Sequence, residues 1–485
     1  MNKKPFYITT TLPYANSKPH VGHAVEFARA DAVARFKRAT GHEVFFNTGT
    51  DEHGIKIYQK AQEEGKDVMD FLNEGVEHFK ILAEKLNISY DKFIRTTDPE
   101  HEKAAQEFWK ICDQNGFIYK KQYSGLYCVG CEMFKTEKEL INGECPDHSG
   151  KKIEEISEEN YFFKYSEFAD KLKELYETRP DFVIPENRLK EISSFVKEGL
   201  NDFSISRLKE KMPWGVEVPG DSEHVMYVWF DALVNYISTL GWPDNKENFE
   251  KFWVNGTPVQ YCGKDNIQHQ SARWQAMLMS VGLPVSNNVI VNGFVLSDGK
   301  KMSKSVGNVI DPMDVLNEYG TDALRYYLIR ELSPFEDSDF TINSFKESYN
   351  ANLANGIGNL TSRIMKMAED HINKVSDEEL GFDTDFSKIV GDEYIKYFNV
   401  FNLQKVADIV WSYIGEIDQR IQETEPFKLV KEDKEKAQEI IRELVVKLYK
   451  TSKMLEPLLP ETAEKIQKAI KENKKPSEPI FARIN

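Results

Sequence analysis

The sequence predicts an α/β protein: a parallel sheet split in two by an inserted domain and followed by an α-helical bundle. Three observations carry this. The run "FYITTTL" (6–12), rich in β-branched and aromatic residues, leads through a helical stretch to a second such run, "EVFFNTG" (43–49), which is the texture of a βαβ unit. Residues 119–222 lose that texture and gather tyrosines, cysteines and short charged turns. Strand-and-helix character then resumes through "VMYVWFDALVNYISTLGW" (225–242) and "VQYCGKDNIQHQSARWQAML" (259–278), and from residue 346 the pattern is almost wholly helical.

Taken in order, the first strand is followed by a loop holding Pro13, Asn16 and Pro19. Val21, Ala24, Val25, Ala28 and Ala32 then recur at helical spacing, and Gly41 stands where a glycine usually closes a helix. In open α/β sheets ligands gather at the C-terminal ends of the strands. Both "TLPYANSKPHVGH" (11–23) and "TGTDEHG" (48–54) are expected at that edge. The insertion, 119–222, closes around "MPWGVEVPG" (212–220), leaving a Rossmann-like sheet in two halves, 1–118 and 223–285. Residues 286–345 carry a lysine-rich loop and then "VIDPMDVLNEYG" (309–320), a helix start with Asp311 as cap and Pro312 at its first position. Residues 346–485 read as a helical bundle.

Bulk properties bound the function. A chain of 485 residues exceeds one hydrophobic core, so several domains are expected. No apolar run reaches the roughly 18 residues that would cross a bilayer, and the N-terminal stretch is no signal peptide, so a cytoplasmic protein is expected. A formal net charge of −16 argues against indiscriminate binding of phosphate backbones. Any nucleic-acid partner must be met by local patches. Of five cysteines, Cys128, Cys131 and Cys145 lie close together, which in a reducing compartment suggests a metal site more than disulfides.

Three motifs carry chemistry. In "HVGH" (20–23), His20 and His23 share the first turn of the crossover helix, and Gly22 removes a side chain that would obstruct a ligand. A helix N-terminus offers N–H groups and the positive end of the dipole to a phosphate, and the imidazoles can donate to oxygens whose charge grows in a transition state. In "GKKMSKSVGN" (299–308), Lys300, Lys301 and Lys304 sit among small and hydroxyl-bearing residues with no apolar spacing. This is expected to be a mobile loop serving a strong anion that comes and goes. Finally, Cys128-x2-Cys131-x13-Cys145-x2-His148 has the ligand types and paired spacing of a closed, structural Zn2+ site, a zinc knuckle.

HVGH near the start of the sheet and KMSKS (301–305) near its end resemble the signature pair of class I aminoacyl-tRNA synthetases. "TLPYANSKPHVGH", "GTDEHG" (49–54), "SISR" (204–207), "YVWFDALVNY" (227–236) and "GKD" (263–265) resemble the methionyl-tRNA synthetase family in particular, in order along nearly the whole chain. The resemblance implies activation of methionine by ATP with Mg2+, then transfer to methionine tRNA, both initiator and elongator being expected partners. It implies His20, His23, Lys301 and Lys304 as catalytic residues, with Gly22 and Ser303 also at the nucleotide. Leu12, Tyr14, Trp229, Ala232 and Tyr236 would line a slot for the thioether, and Asp51 would take the substrate ammonium with Arg207 nearby. Gln270 stands where family members commonly have histidine, with His269 one step earlier. Asn359, Arg363 and Phe427 would form the anticodon site, Phe427 following proline where tryptophan is usual. A zinc knuckle in the insertion and a stem-contact region in 286–345 fit the same family. The chain stops without an appended β-barrel module, so a monomer is expected. Two rivals are another HxGH nucleotidyltransferase, which explains neither the cysteine pairs nor the helical tail, and an inactive tRNA-binding relative, in which damaged signatures would be expected.

Overall fold

A computed structural model describes residues 3–128, 133–135, 137, 140–146, 153–302, 308–382 and 384–484. Strand β1 (Phe6–Thr9) is wholly buried inside a six-stranded sheet, as expected for a parallel sheet covered on both faces. Helix α1 (Val21–Ala39) crosses to β2 (Val44–Thr50), and β3 (Lys92–Arg95) lies beyond it. On the other side of β1 come Thr257–Gly263, then Asn288–Asn292, then the short edge strand Val183–Ile184 from within the 119–222 stretch. Every neighbouring pair is parallel. The strand order therefore reverses between β1 and Thr257–Gly263, which opens a crevice at their C-terminal ends.

α1 seats against the sheet through Val21, Ala24, Val25, Phe27 and Ala28. Gly41 ends its turn at φ 80°, its N–H bonding to Arg38 O at 2.9 Å while His42 N–H reaches Lys37 O at 2.9 Å. The left-handed backbone there is why the chain uses glycine. The insertion is built on a long antiparallel hairpin, Ile118–Cys128 against Ile153–Phe163.

The helical third includes Asn359–His371, Leu403–Thr424, Lys434–Leu455 and Pro460–Glu472. It does not hang on a linker, because its buried residues run into the same apolar core as α1. Phe36 of α1 stacks on Phe398 at 4.1 Å and 3°. Arg325, fully buried, pairs with Asp31 of α1 at 2.8 Å and donates to the carbonyls of Leu86, Pro457 and Leu458.

The lysine-rich stretch differs from the expected loop at its start. Lys300–Lys301 form a short strand paired antiparallel with Val295–Ser297. The turn between them is Asp298-Gly299, both at positive φ (52° and 69°), the combination a two-residue hairpin demands. Residues 303–307, with Ser303 and Lys304, lie outside the described residues. Asp311 caps the next helix through Met313 N–H at 2.8 Å, and Pro312 opens it.

Candidate active site

Two histidines build the N-terminus of α1. The Gly22 N–H donates to His20 Nδ1 at 3.0 Å, and the His20 N–H donates to His23 Nδ1 at 3.1 Å. The rings stack at 3.9 Å. Accepting at Nδ1 fixes each neutral imidazole with its proton on Nε2, so Nε2–H is the donor each ring can present. Burial, and then His20 beside it, hold the His23 pKa well below the ordinary histidine range, so its ring stays neutral. A Cβ on Gly22 would sit 2.7 Å from His20 Cε1, which makes this glycine a requirement of the histidine cap.

One expectation is corrected. The N–H groups of the first turn are not offered to an anion. Val21 N–H bonds to Ile310 O at 3.3 Å, Gly22 N–H to His20, and His23 N–H to His20 O at 2.9 Å. Anion contacts at this end must come from imidazoles and lysines. The Val21–Ile310 bond also ties the segment leaving the lysine loop to the helix that carries the histidines. On the other flank the hairpin is held by Gly299 N–H on Asp339 Oδ1 at 3.1 Å.

Glu26, one turn beyond His23, was not expected at the site. Its Oε1 accepts from Thr11 N–H where β1 gives way to the loop, and burial pushes its pKa up to about 8 against that bond. Its signal in the sequence was a carboxylate on the face of α1 that carries His23.

Across the crevice, Pro13–Ala15 zips onto Asp51: the Asp51 N–H bonds to Pro13 O at 2.9 Å and the Ala15 N–H to Asp51 O at 3.1 Å. Asp51 is thereby buried beside Tyr14. Tyr14 meets Trp229 edge-on, ring centroids 6.4 Å apart, and Trp229 stacks on His269 at 3.8 Å and 10°. Burial, with Arg273 nearby, keeps the His269 pKa well below its ordinary range, so the stack is between neutral rings. Leu12, Ala232 and Tyr236 are buried. Gln270 donates to the Tyr236 hydroxyl and accepts from Gln260 Nε2 at 3.1 Å. Gln260 in turn meets Ser286 at 2.5 Å, so Gln270 is fixed by a chain of buried polar groups that the sequence did not announce. Arg207 forms an ion pair with the buried Glu158 at 2.8 Å and lies over the Tyr127 ring at 4.4 Å. Glu158 was likewise missed.

Two further clusters lie elsewhere. Asn359, Arg363 and Phe427 line one cavity of about 370 Å³ with Lys366 and Lys475, and Phe427 is 48% exposed. Arg363 forms an ion pair with Asp418. In the insertion, Cys128 and Cys145 are both fully buried at the far end of the hairpin. Cys131, His148 and the turns around them lie outside the described residues. Among the described residues no group of three or more metal-binding side chains comes together, and no helix is long and apolar enough to cross a membrane.

A split parallel sheet with a histidine-capped crossover helix at its switch point, and a lysine hairpin followed by a segment tied to that helix at Ile310, defines a class I aminoacyl-tRNA synthetase architecture. The family described as tRNA synthetases class I (M) matches residues 6–155 and 148–365. A methionine–tRNA ligase of Clostridium perfringens is 42% identical, over 96% of this chain and 73% of its own. One from Thermotoga maritima is 41% identical, over 97% and 76%. The methionyl-tRNA synthetase of Mycobacterium tuberculosis in complex with methionyl-adenylate superposes with TM-score 0.88 at 35% identity, covering 96% of this chain and 93% of that one. The chain belongs to the methionyl-tRNA synthetase family of class I.

Proposed function

We infer that the chain is a methionine–tRNA ligase, which activates methionine with ATP to methionyl-adenylate and passes the methionyl group to methionine tRNA. The observation that carries the reading is the paired-histidine cap at the sheet's switch point, with both imidazoles held as Nε2–H donors. ATP lies along this cap, with Gly22 leaving room for the stacked rings. The methionine carboxylate attacks the α-phosphate in line, and His20 and His23 donate to the oxygens on which charge accumulates. Lys301 and Lys304 meet the β- and γ-phosphates, with Ser303 also at the nucleotide, and the loop releases pyrophosphate once the bond to the α-phosphate has broken. The Mg2+ that accompanies ATP supplies further neutralisation of the triphosphate. Glu26 on α1, held by Thr11 just past the end of β1, and Asp265, just beyond the strand Thr257–Gly263, suit the hydroxyls of the ribose.

Methionine is held at both ends. Asp51 takes its ammonium, while Leu12, Tyr14, Trp229, Ala232 and Tyr236 enclose the thioether, a polarisable group that packs well on aromatic faces. Gln270 orients the Tyr236 hydroxyl at the slot's floor, and Arg207 braces the wall through Glu158. The adenylate is then attacked by the terminal ribose of the tRNA, at its 2′-hydroxyl by class I analogy.

The cavity at Asn359, Arg363 and Phe427 suits unstacked anticodon bases, offering an exposed ring for stacking, an amide and a guanidinium for base edges, and lysines for the backbone. Cys128 and Cys145, two buried thiols at the hairpin tip, fit a structural Zn2+ completed by Cys131 and His148. The sheet reaches beyond the expected halves 1–118 and 223–285, taking in Val183–Ile184 and Asn288–Asn292, and the protein acts as a cytoplasmic monomer. The test is Lys304→Ala. Adenylation should fall at least a hundredfold with methionine affinity little changed, whereas equal losses in both would refute a transition-state role.

A further inference from the structure

We propose that His53 is a positioning residue that joins the amino-group site to the side-chain slot, so that methionine is gripped at both ends by one connected unit. This rests on the placement of methionine given above. His53 belongs to the segment that carries Asp51, and its backbone N–H donates to Asp51 Oδ1 at 3.4 Å. Its ring turns the other way. Nδ1 meets Asp231 Oδ2 at 2.9 Å. Asp231 is wholly buried on the short helix Val228–Leu233, between Trp229 and Ala232, two residues of the slot. A single side chain thus bridges the two recognition elements, and nothing in the chemistry of adenylation requires an imidazole there.

The surroundings explain why the bridge holds. Facing His53 are Glu52 and Asp51 from its own segment, Glu102 and His101 from the helix Pro99–Gln114, Asp231, and the Trp214 ring at 6.0 Å. Glu102 Oε1 stands 3.8 Å from His53 Nε2, and His101 Nε2 stands 3.8 Å from Asp231 Oδ1. His101 is anchored in turn on Ser238 Oγ at 2.9 Å. Glu52 is engaged elsewhere, by Arg95 at 2.8 Å, and does not compete for the ring. Burial alone would lower the His53 pKa, but Asp231, Glu102 and Glu52 raise it above the ordinary histidine range. Burial alone would raise the Asp231 pKa, but His53 and His101 bring it below the usual carboxylate range. Both directions favour an imidazolium on a carboxylate, a bond stronger than its neutral counterpart, and the 2.9 Å separation suits it.

The experiment compares full methionine with 4-(methylthio)butanoate, which keeps the thioether and carboxylate but lacks the ammonium. In methionine-dependent pyrophosphate exchange, His53→Ala should raise KM for methionine about tenfold or more, with kcat and the KM for ATP within threefold of the parent. The inhibition constant of the desamino analogue, which uses only one of the two anchors, should change less than threefold. His53→Asn, whose amide can stand near Nδ1 and keep the bond to Asp231, should recover most of the methionine KM. Equal weakening of methionine and analogue, or a fall in kcat at unchanged KM, would overturn the coupling. Should His53→Ala fail to fold, Asp231→Ala, which removes the same bond, carries the same expectation and the same refutation. The parent enzyme, exchanging with methionine in the same assay, separates failure of this proposal from failure of the assigned activity.

Discussion

At the residue scale the site depends on side chains whose protons are fixed by their neighbours. Each imidazole of the cap accepts a backbone N–H at Nδ1, so catalysis needs the neutral tautomer with hydrogen at Nε2. His23→Ala should lower kcat for adenylation by about a hundredfold or more, read by pyrophosphate exchange, with KM for methionine nearly unchanged. Glu26 gives a pH prediction. Its unfolded value is near 4.5 and burial lifts it to about 8, so the native state binds the extra proton between those values. Stability from this group is full below about 4.5 and is lost as pH rises through about 8. Glu26→Gln should therefore flatten the decline in melting temperature between pH 5 and 8, and an unchanged decline would contradict the assignment. The sequence made the two histidines legible because they stand in a short motif at a helix start. Glu26 had a faint signal in its place on the His23 face of α1, but Glu158 and the Gln260–Gln270–Tyr236 chain had none, because each is identified only by a partner on another element.

At the scale of elements, the legible features were those with local physical causes: the β-branched first strand, the alanine-faced α1, Gly41 at its end and the Asp311–Pro312 helix start. The lysine stretch lacks apolar alternation, which predicts loop throughout. Its first residues nonetheless form a strand, since Asp298-Gly299 supplies the two positive-φ positions of a tight hairpin and Asp339 anchors the turn. Gly299→Val should strain that turn by about 1 kcal/mol or more and raise KM for ATP several-fold, while methionine affinity measured by equilibrium binding stays constant. In the insertion, elemental analysis should find one Zn2+ per chain. Chelation should lower the melting temperature and increase proteolysis within 119–222, whereas a metal-free chain with unchanged stability would remove the knuckle from the account.

At the scale of the whole molecule, the sequence suggested separate domains, and the structure joins them. Phe36 on Phe398, and Arg325 set between Asp31 and the carbonyls of Pro457 and Leu458, fasten the helical third to α1, the helix that also carries the histidine cap. Long-range contacts of this kind leave no periodic trace in a single sequence. They do not prevent a division of labour. Arg363→Ala should raise KM for methionine tRNA tenfold or more in aminoacylation and leave pyrophosphate exchange without tRNA unaffected. A loss in both assays would mean that the bundle's cavity does not act alone on the tRNA. The most direct test of the account as a whole is exchange of labelled pyrophosphate into ATP by the zinc-loaded protein, assayed with each amino acid in turn. The account predicts exchange that depends on methionine and disappears with Lys304→Ala. Exchange driven by a different amino acid, or none with methionine, would contradict it.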